Sequence, residues 1–387
     1  MSANQRRALG FEFRMMAISI DNAIPWLLSQ HALEQAAVLD GDVIVEDLGH
    51  HGNCLRVEQQ GGPQGFFLKQ PVRDTLCLRE AEALLANEAG LYDFFSTTPS
   101  GAKMLEFLPK FEAFVRDPPV LVLQLCRDTL PLHEFVNGQP VGCFSADIGV
   151  GVGRALATLH TTLSAAELLE VPALRHLRSS APWVLSIHEP PAAMLGAMTS
   201  AEVALLRVVQ AAGGLGDNLS CLRSHWRATA LIHGDIKADN ILVRRDHDSV
   251  LLVDWECAQL GPPAWDVGSA FCDLIRFWVS SIPSKCGSAV PHLATRPLVC
   301  VRAAARYLWH WYAATVGFED LSANAFLLES MRYCGARLVQ TAFEYAAATT
   351  QLSHSVALLL QVGTNILENP VRAQSDLLGL FARVRSS

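Results

Sequence analysis

The sequence predicts an α+β chain in two lobes, a small lobe on five β-strands followed by a larger, mainly helical lobe. Three observations lead there. The run from 41 to 125 alternates short apolar segments with turns in the order β-β-β-α-β-β. Almost everything after 265 reads as amphipathic helix, with aromatic-rich segments near 301–316 and 323–348. No Pro/Ser-rich linker separates the halves, so they are expected to pack as lobes around a cleft. The 387 residues suffice for two or three folding units, and with 50% apolar and 18% charged residues large-scale disorder is excluded. The expected divisions are a helical extension over 1–40, the small lobe over 41–125 and the large lobe over 126–387.

Taken in order, residues 21–38 read as one preliminary helix, with Asp21 as a candidate cap and Pro25 in its first turn, where a missing N–H costs nothing. The strands follow as DVIVEDLG, CLRVEQ, a Gly61-Gly62-Pro63 turn, and GFFLKQ; then come a helix over about 78–95 and the strands KFEAFV and VLVLQL. From Ser145 to Leu163 the residues Ile148, Val152, Leu156, Leu159 and Leu163 recur on one helical face. Thr199 with Glu202 has the form of a capping box, and Gly213-Gly214 is expected to close that helix. Between 231 and 254 two short strands, ILVRR and VLLVDW, flank the polar turn Asp246-His247-Asp248.

Charge and cysteine usage exclude several function classes. Thirty basic against 38 acidic residues give a net charge of −8, with a pI near 5.9, which argues against a nucleic-acid binder that neutralises phosphates. The ten cysteines form no C-x-x-C pair, so metal-ligand spacing is absent and reduced thiols of a cytoplasmic protein are expected. The N-terminal residues reach Glu12 and Arg14 before an apolar signal region develops, so no secretory leader is expected. The uncharged-looking stretch from Tyr345 to Leu367 is interrupted by Thr349, Gln351, His354 and Asn365 and reads as one buried helix, not a membrane span.

The chemistry is concentrated in His233-Gly234-Asp235-Ile236-Lys237-Ala238-Asp239-Asn240 and Val253-Asp254-Trp255-Glu256. Asn240 follows Asp235 by five residues, and Asp254 follows Asn240 by fourteen. Phosphoryl transfer needs a carboxylate near the accepting hydroxyl and oxygen ligands for Mg²⁺ on a triphosphate. Three such groups stand here in suitable order. Upstream, Lys69 ends the apolar strand GFFLK, where a point charge reaches the α- and β-phosphates if a carboxylate holds it. Glu80, Glu82 and Glu88 compete for that part.

These segments resemble the aminoglycoside phosphotransferase and choline kinase family, which shares the protein-kinase fold. The resemblance covers about 41–275 and implies ATP and Mg²⁺ as cofactors. It implies Asp235 as catalytic base, Asn240 and Asp254 as metal ligands, and Asp266, in Gly261-Pro262-Pro263-Ala264-Trp265-Asp266-Val267-Gly268, as a brace for the catalytic loop. His233 is expected to support that loop. Glu88-Ala89-Gly90-Leu91-Tyr92 resembles the family's E-A-x-x-Y segment and favours Glu88 as the partner of Lys69. Leu48 to Asn53 occupies the place of a Gly-rich loop, with Gly49 and Gly52 permitting close approach to phosphate although the G-x-G-x-x-G pattern is lacking. Val122 to Cys126 is expected to be the hinge, where backbone groups of Gln124, Leu125 and Cys126 meet adenine.

For the acceptor, a hydroxyl-bearing small molecule is the leading expectation, since Trp255-Glu256 stands where protein kinases carry Phe-Gly. Residues 1–160 hold 12 basic against 19 acidic residues, whereas the segments of the large lobe are close to neutral, which speaks against a polycationic aminoglycoside. Lys237 gives Asp-x-Lys-x-x-Asn, an arrangement used by protein kinases, and its ammonium is expected to neutralise the γ-phosphate during catalysis. Ala336 to Gln340 and Asn365 to Pro370 resemble kinases of class V lanthipeptide pathways, which implies a precursor peptide as the alternative acceptor and a possible pathway partner protein. A nucleotide-binding pseudokinase is the second alternative. Neither nucleic acid nor membrane is expected as a partner.

Overall fold

The computed structural model describes residues 17–39, 41–49, 54–71, 78–138, 146–163, 167, 170–171, 174–175, 177, 179–245, 249–283 and 294–381. Among them the chain divides into two compact units: one comprises the described residues of 1–128, 172–176 and 253–257, the other those of 129–171, 177–252 and 258–387.

The first unit opens with two short helices, α1 (Ala23–Ser29) and α2 (Gln35–Leu39). One continuous helix over 21–38 is therefore incorrect. The cap position is Asn22 rather than Asp21, and the chain breaks after Ser29, where His31 takes a left-handed φ of 58°. Strands β1 (Val43–Asp47), β2 (Cys54–Gln59) and β3 (Gly65–Lys69), helix α3 (Leu78–Thr97), and strands β4 (Phe111–Arg116) and β5 (Pro119–Gln124) follow. The strands form one antiparallel sheet in the order β1-β2-β3-β5-β4.

Alternation along the strands sorts its two faces. Leu55, Val57, Phe66, Leu68, Val120 and Val122 are buried with Ile18, Trp26 and Leu27, so α1 shares the core of the sheet. Gln70 ties that segment down: its amide accepts from the Ile18 N–H at 2.7 Å and donates to the Ile18 carbonyl at 2.8 Å. Because Leu68 faces this core, its neighbour Lys69 faces the opposite way, toward α3. Arg127 pins the β2–β3 turn by donating to the carbonyls of Gly62, Gln59 and Gln64.

The second unit is mainly helical. It contains β6 (Thr129–Pro131), α4 (Leu132–Gly138), α5 (Ala146–Thr161), α6 (Ala192–Ala197), α7 (Ser200–Ala211) and α8 (Leu215–Ser224). Next come β7 (Ala230–Ile232), β8 (Ile241–Arg244), β9 (Val250–Leu252) and β10 (Gln259–Gly261). The chain continues as α9 (Pro263–Ser280), α10 (Leu298–Val316), α11 (Asp320–Ala347), α12 (His354–Glu368) and α13 (Pro370–Asp376). Small antiparallel sheets pair β6-β8-β9 and β10-β7.

Ile148, Val152, Leu156, Leu159 and Leu163 are buried, as the periodicity requires. Helix α5 packs tightly on α10, and a Cβ on Gly149 would lie 2.7 Å from the Ala304 carbonyl oxygen, so only glycine fits there. The capping box on α7 is present: Glu202 N–H donates to Thr199 Oγ1 at 3.2 Å and Thr199 N–H to Glu202 Oε2 at 2.7 Å. Gly213-Gly214 does not close that helix as expected; Ala212 does, and Gly214, at φ 82°, opens α8. The single helix expected from Tyr345 to Leu367 is also interrupted, since α11 ends at Ala347 and α12 starts at His354. No helix among the described residues is long and apolar enough to cross a membrane.

Candidate active site

In the first unit, Lys69 is the centre of a buried ion cluster. Its Nζ lies 2.8 Å from Glu88 Oε2, 2.5 Å from Asp254 Oδ1 and 3.2 Å from Glu256 Oε2. Of the three competing glutamates, Glu88 is the one on α3 that reaches it. Glu88 also accepts from the Trp255 N–H through Oε1 at 3.1 Å, so one carboxylate binds both the strand lysine and the segment that carries Asp254. Trp255 is buried and meets Phe95 of α3 edge-on at 5.3 Å, which anchors this segment from the other side.

Burial opposes the charge on Lys69, yet Glu88, Asp254 and Glu256 together hold its ammonium well above the ordinary lysine range. Burial pushes the Glu88 carboxyl up against the opposing pull of Lys69. The Asp254 and Glu256 side chains are 33% and 41% exposed, against 1% for Glu88, so two of the three carboxylates are open to solvent. Asp254 sits at φ 67°, a left-handed conformation uncommon for a residue with a Cβ, and such local strain is typical of positions that present a side chain for function.

Gly49 has φ 58°, and its N–H donates to Asp47 Oδ1 at 3.0 Å, so the chain turns sharply after β1. Gly52, with His50 and His51, lies outside the described residues. At the expected hinge, the N–H of Gln124 donates to the Lys110 carbonyl and that of Leu125 to the Gly65 carbonyl, both at 2.9 Å. The Leu125 carbonyl accepts from Arg127 N–H at 3.0 Å, and the Cys126 thiol approaches the Gln124 carbonyl at 3.8 Å. The sheet thus already uses two of the amides that the sequence reading assigns to adenine.

In the second unit, the loop between β7 and β8 carries Asp235, Lys237 and Asn240, the last in a short 3-10 turn over Ala238–Asn240. Asp235 Oδ2 lies 2.6 Å from Lys237 Nζ and accepts from Asn240 Nδ2 at 3.2 Å, and Asn240 Nδ2 also reaches the Asp235 carbonyl at 3.0 Å. Asp235 Oδ1 lies 3.2 Å from Arg337 Nη2. Burial would raise the Asp235 pKa, but Arg337 and Lys237 outweigh it and hold the carboxyl below its ordinary value.

Asp266, fully buried on α9, braces this loop. It accepts from the His233 N–H at 2.7 Å and the Gly234 N–H at 3.0 Å. His160 Nε2 lies 3.2 Å from the same carboxylate, and His160 Nδ1 lies 2.9 Å from the Tyr312 hydroxyl. Trp265 Nε1 donates to the Gly234 carbonyl at 2.9 Å. His233 is buried, and its Nδ1 accepts from Asp235 N–H at 3.4 Å. Asp273 Oδ2 accepts from the Ala238 N–H while its Oδ1 pairs with Arg276 at 2.6 Å.

The sequence-chosen residues thus fall into two groups, Lys69, Glu88 and Asp254 in the first unit and Asp235, Lys237 and Asn240 in the second. Sequence reasoning missed three contributors. Glu256 was read only as part of a replaced dipeptide, although a third acid beside Asp254 was visible. Asp273 is one helical turn pair beyond Asp266 and could have been suspected from that spacing. Arg337 had no local signal, because its link to Asp235 spans 102 residues.

No curated protein sequence matches the chain. Among solved structures it is similar to the macrolide 2'-phosphotransferase MphH from Brachybacterium faecium, at 16% identity over 90% of this chain and 98% of that one, with a TM-score of 0.48. It is similar also to choline kinase LicA from Streptococcus pneumoniae, at 13% identity over 88% and 99% of the two chains, TM-score 0.45. An ethanolamine kinase from Plasmodium vivax, 9% identical over 94% of each chain with a TM-score of 0.53, shares the fold. The two-unit architecture is accordingly the protein-kinase-like one. The phosphotransferase enzyme family APH matches residues 58–294, a stretch that contains Lys69, Glu88, Asp235, Asn240, Asp254 and Asp266. With more than half of its length in that match, the chain belongs to the phosphotransferase enzyme family.

Proposed function

We propose that the protein transfers the γ-phosphoryl group of ATP to a hydroxyl group of a small molecule. The observation that carries the reading is the arrangement around Lys69, a buried cation fixed by Glu88 and flanked by two solvent-open carboxylates. Held in this way, Lys69 presents one point charge to the α- and β-phosphates. Gly49, at φ 58°, gives the backbone room beside phosphate, and backbone groups of Gln124, Leu125 and Cys126 meet the adenine edge, chiefly through those that the sheet leaves over.

The donor set suits Mg²⁺, a hard cation that takes oxygen ligands. Asp254 supplies an exposed carboxylate, and Asn240, whose Nδ2 serves Asp235, has its amide oxygen left to donate. Bound with the nucleotide, the ion would neutralise charge on the β- and γ-phosphates. Asp235 accepts and orients the hydroxyl proton of the acceptor, and Lys237 meets the γ-phosphate as the hydroxyl attacks. A carboxylate held below its ordinary pKa stays ionised for this task, which matches a loose transition state that needs orientation more than a strong base. Trp255-Glu256 in place of Phe-Gly supports the small-molecule acceptor, and dependence on ATP is in keeping with a cytoplasmic enzyme.

The test is purified protein with MgATP and a panel of a neutral sugar, an amino alcohol, an aminoglycoside and a Ser/Thr peptide, read by mass spectrometry. A Mg²⁺-dependent gain of one phosphate on a small molecule, lost in Asp235→Asn, is expected. Labelling of the peptide alone would favour the peptide kinase, and absence of both transfer and an ATP-dependent rise in melting temperature would favour the pseudokinase.

A further inference from the structure

Arg337 on α11 is 3% exposed, yet it is a cation, and a buried guanidinium is retained only where partners satisfy it. Its two ends are divided between two carboxylates. Nη2 lies 3.2 Å from Asp235 Oδ1, and Nη1 lies 2.8 Å from Glu344 Oε1, with Thr341 Oγ1 at 3.5 Å. The other oxygen of Asp235 is taken by Lys237 and Asn240, both from its own loop. Donors from one loop move with that loop. A donor from a packed helix does not, so Arg337 is what fixes the plane of the Asp235 carboxylate relative to the body of its unit.

The charges around this point are balanced. From the loop come Lys237 and His233; from α11 come Arg337 and Glu344; from α9 come Asp273 and Arg276. Each carboxylate in this set has a cation beside it: Asp235 has Lys237 and shares Arg337 with Glu344, and Asp273 has Arg276. Asp239 on the loop lies 3.0 Å from His133 Nδ1. A polycationic acceptor needs carboxylates with charge to spare, and Asp235, Glu344 and Asp273 are already paired with cations.

On the footing of the phosphotransfer reading above, we infer that Arg337 is a positioning residue for that reaction. It holds Asp235 in the plane in which the carboxylate meets the accepting hydroxyl, and the balanced ion network so formed selects an uncharged hydroxyl compound over a polycationic one. Lysine, with a single charged nitrogen, lacks the planar fork that sets Nη2 against Asp235 and Nη1 against Glu344 in fixed orientation, and an apolar side chain removes the cation that the two carboxylates share.

The experiment uses the full chain with MgATP, reading hydrolysis with water as acceptor and then transfer to a neutral polyol and to an aminoglycoside. Arg337→Lys is expected to lower kcat by on the order of 10²-fold, the scale for a catalytic group displaced by about 1 Å, with the KM for ATP unchanged. Glu344→Gln, at a half-exposed position that folding tolerates, removes the outer anchor of Arg337 and should lower kcat by a smaller factor with an unchanged melting temperature. The neutral polyol should be the better acceptor in the native protein. Native kcat in both variants overturns the positioning role, as does a fall that tracks loss of folded protein in both; preferred transfer to the aminoglycoside overturns the acceptor class. A native protein that neither binds nor turns over ATP overturns the phosphotransfer reading itself, and this inference with it.

Discussion

The two ion clusters of this protein are mirror images. In the first unit one cation, Lys69, stands among three carboxylates; in the second one carboxylate, Asp235, stands between two cations. The first has negative charge in excess and two of its acids open to solvent, which is what the proposed function asks of a site for a metal ion and its polyphosphate. The second has its acid held by cations and its charge evened out by Glu344, so it is built to keep one carboxylate ionised and still. The same few residue types thus give a receptive site in one case and a rigid one in the other, and the ratio of cations to acids decides which.

The comparison breaks first at Asp235. Asp235→Asn keeps the shape and hydrogen bonding but removes the charge that the two cations hold. Turnover should fall by roughly 10²-fold or more, within general-base contributions of ~10²–10⁴, while calorimetric titration shows ATP affinity little changed. Equal turnover would take Asp235 out of the mechanism.

Glu88→Ala attacks the other cluster where it is most buried. It removes a charged hydrogen-bond acceptor from Lys69 and from the Trp255 amide, and should cost about 2–3 kcal/mol by denaturant unfolding, since hydrogen bonds to charged groups contribute about 1.5–3 each and Asp254 retains part of the load. It should also weaken MgATP binding, because Lys69 is then steered only by Asp254 and Glu256. Glu256→Gln, at the open edge, should change stability by less than about 1 kcal/mol, as exposed ion pairs do. Its effect should appear in the Mg²⁺ dependence of ATP binding instead.

Acid titration without metal or nucleotide gives the smallest effect and the sharpest contrast. Asp235 has a depressed pKa in the fold, so its contribution is present above the ordinary carboxylate value and is lost as pH falls through the folded value. Glu88 has a raised pKa, so the folded state binds that proton more readily and stability rises as pH falls through its folded value. On acidification the melting-temperature gap between the native protein and Asp235→Asn should shrink, whereas the native protein should gain on Glu88→Gln. Parallel drift of both gaps would show that the clusters do not differ in the way described.

What could be read from the sequence divides along the same line as local and distant order. Strands with period-two burial, the α5 stripe and the α7 capping box are written within ten or twenty residues, and they stand in the structure as read. The loop from His233 to Asn240 is legible because the chemistry is packed into eight consecutive residues. Helix 21–38 was misread because apolar spacing continues across a break that only the left-handed turn at His31 reveals. Tyr345 to Leu367 failed for a similar reason, since low charge says nothing about where a helix is cut. Arg337 illustrates the limit: an arginine in a mostly apolar helix looks like an isolated exception until the tertiary fold supplies Asp235.

The close seating of α5 on α10 has an effect on which positions of the chain tolerate change. Tyr312 of α10 bonds His160, His160 meets Asp266, and Asp266 carries the amides of His233 and Gly234. Gly149 and Gly153 set how near α10 comes, and a methyl group on Gly153 would strike the Leu308 carbonyl and crowd the Tyr312 amide at 3.2 Å. In a saturation scan of the gene, these two glycines should therefore score with Asp235 and Asp266 rather than with the surrounding helix. A map of intolerant sites would then draw a seam from α10 through α5 and α9 to the loop that carries Asp235.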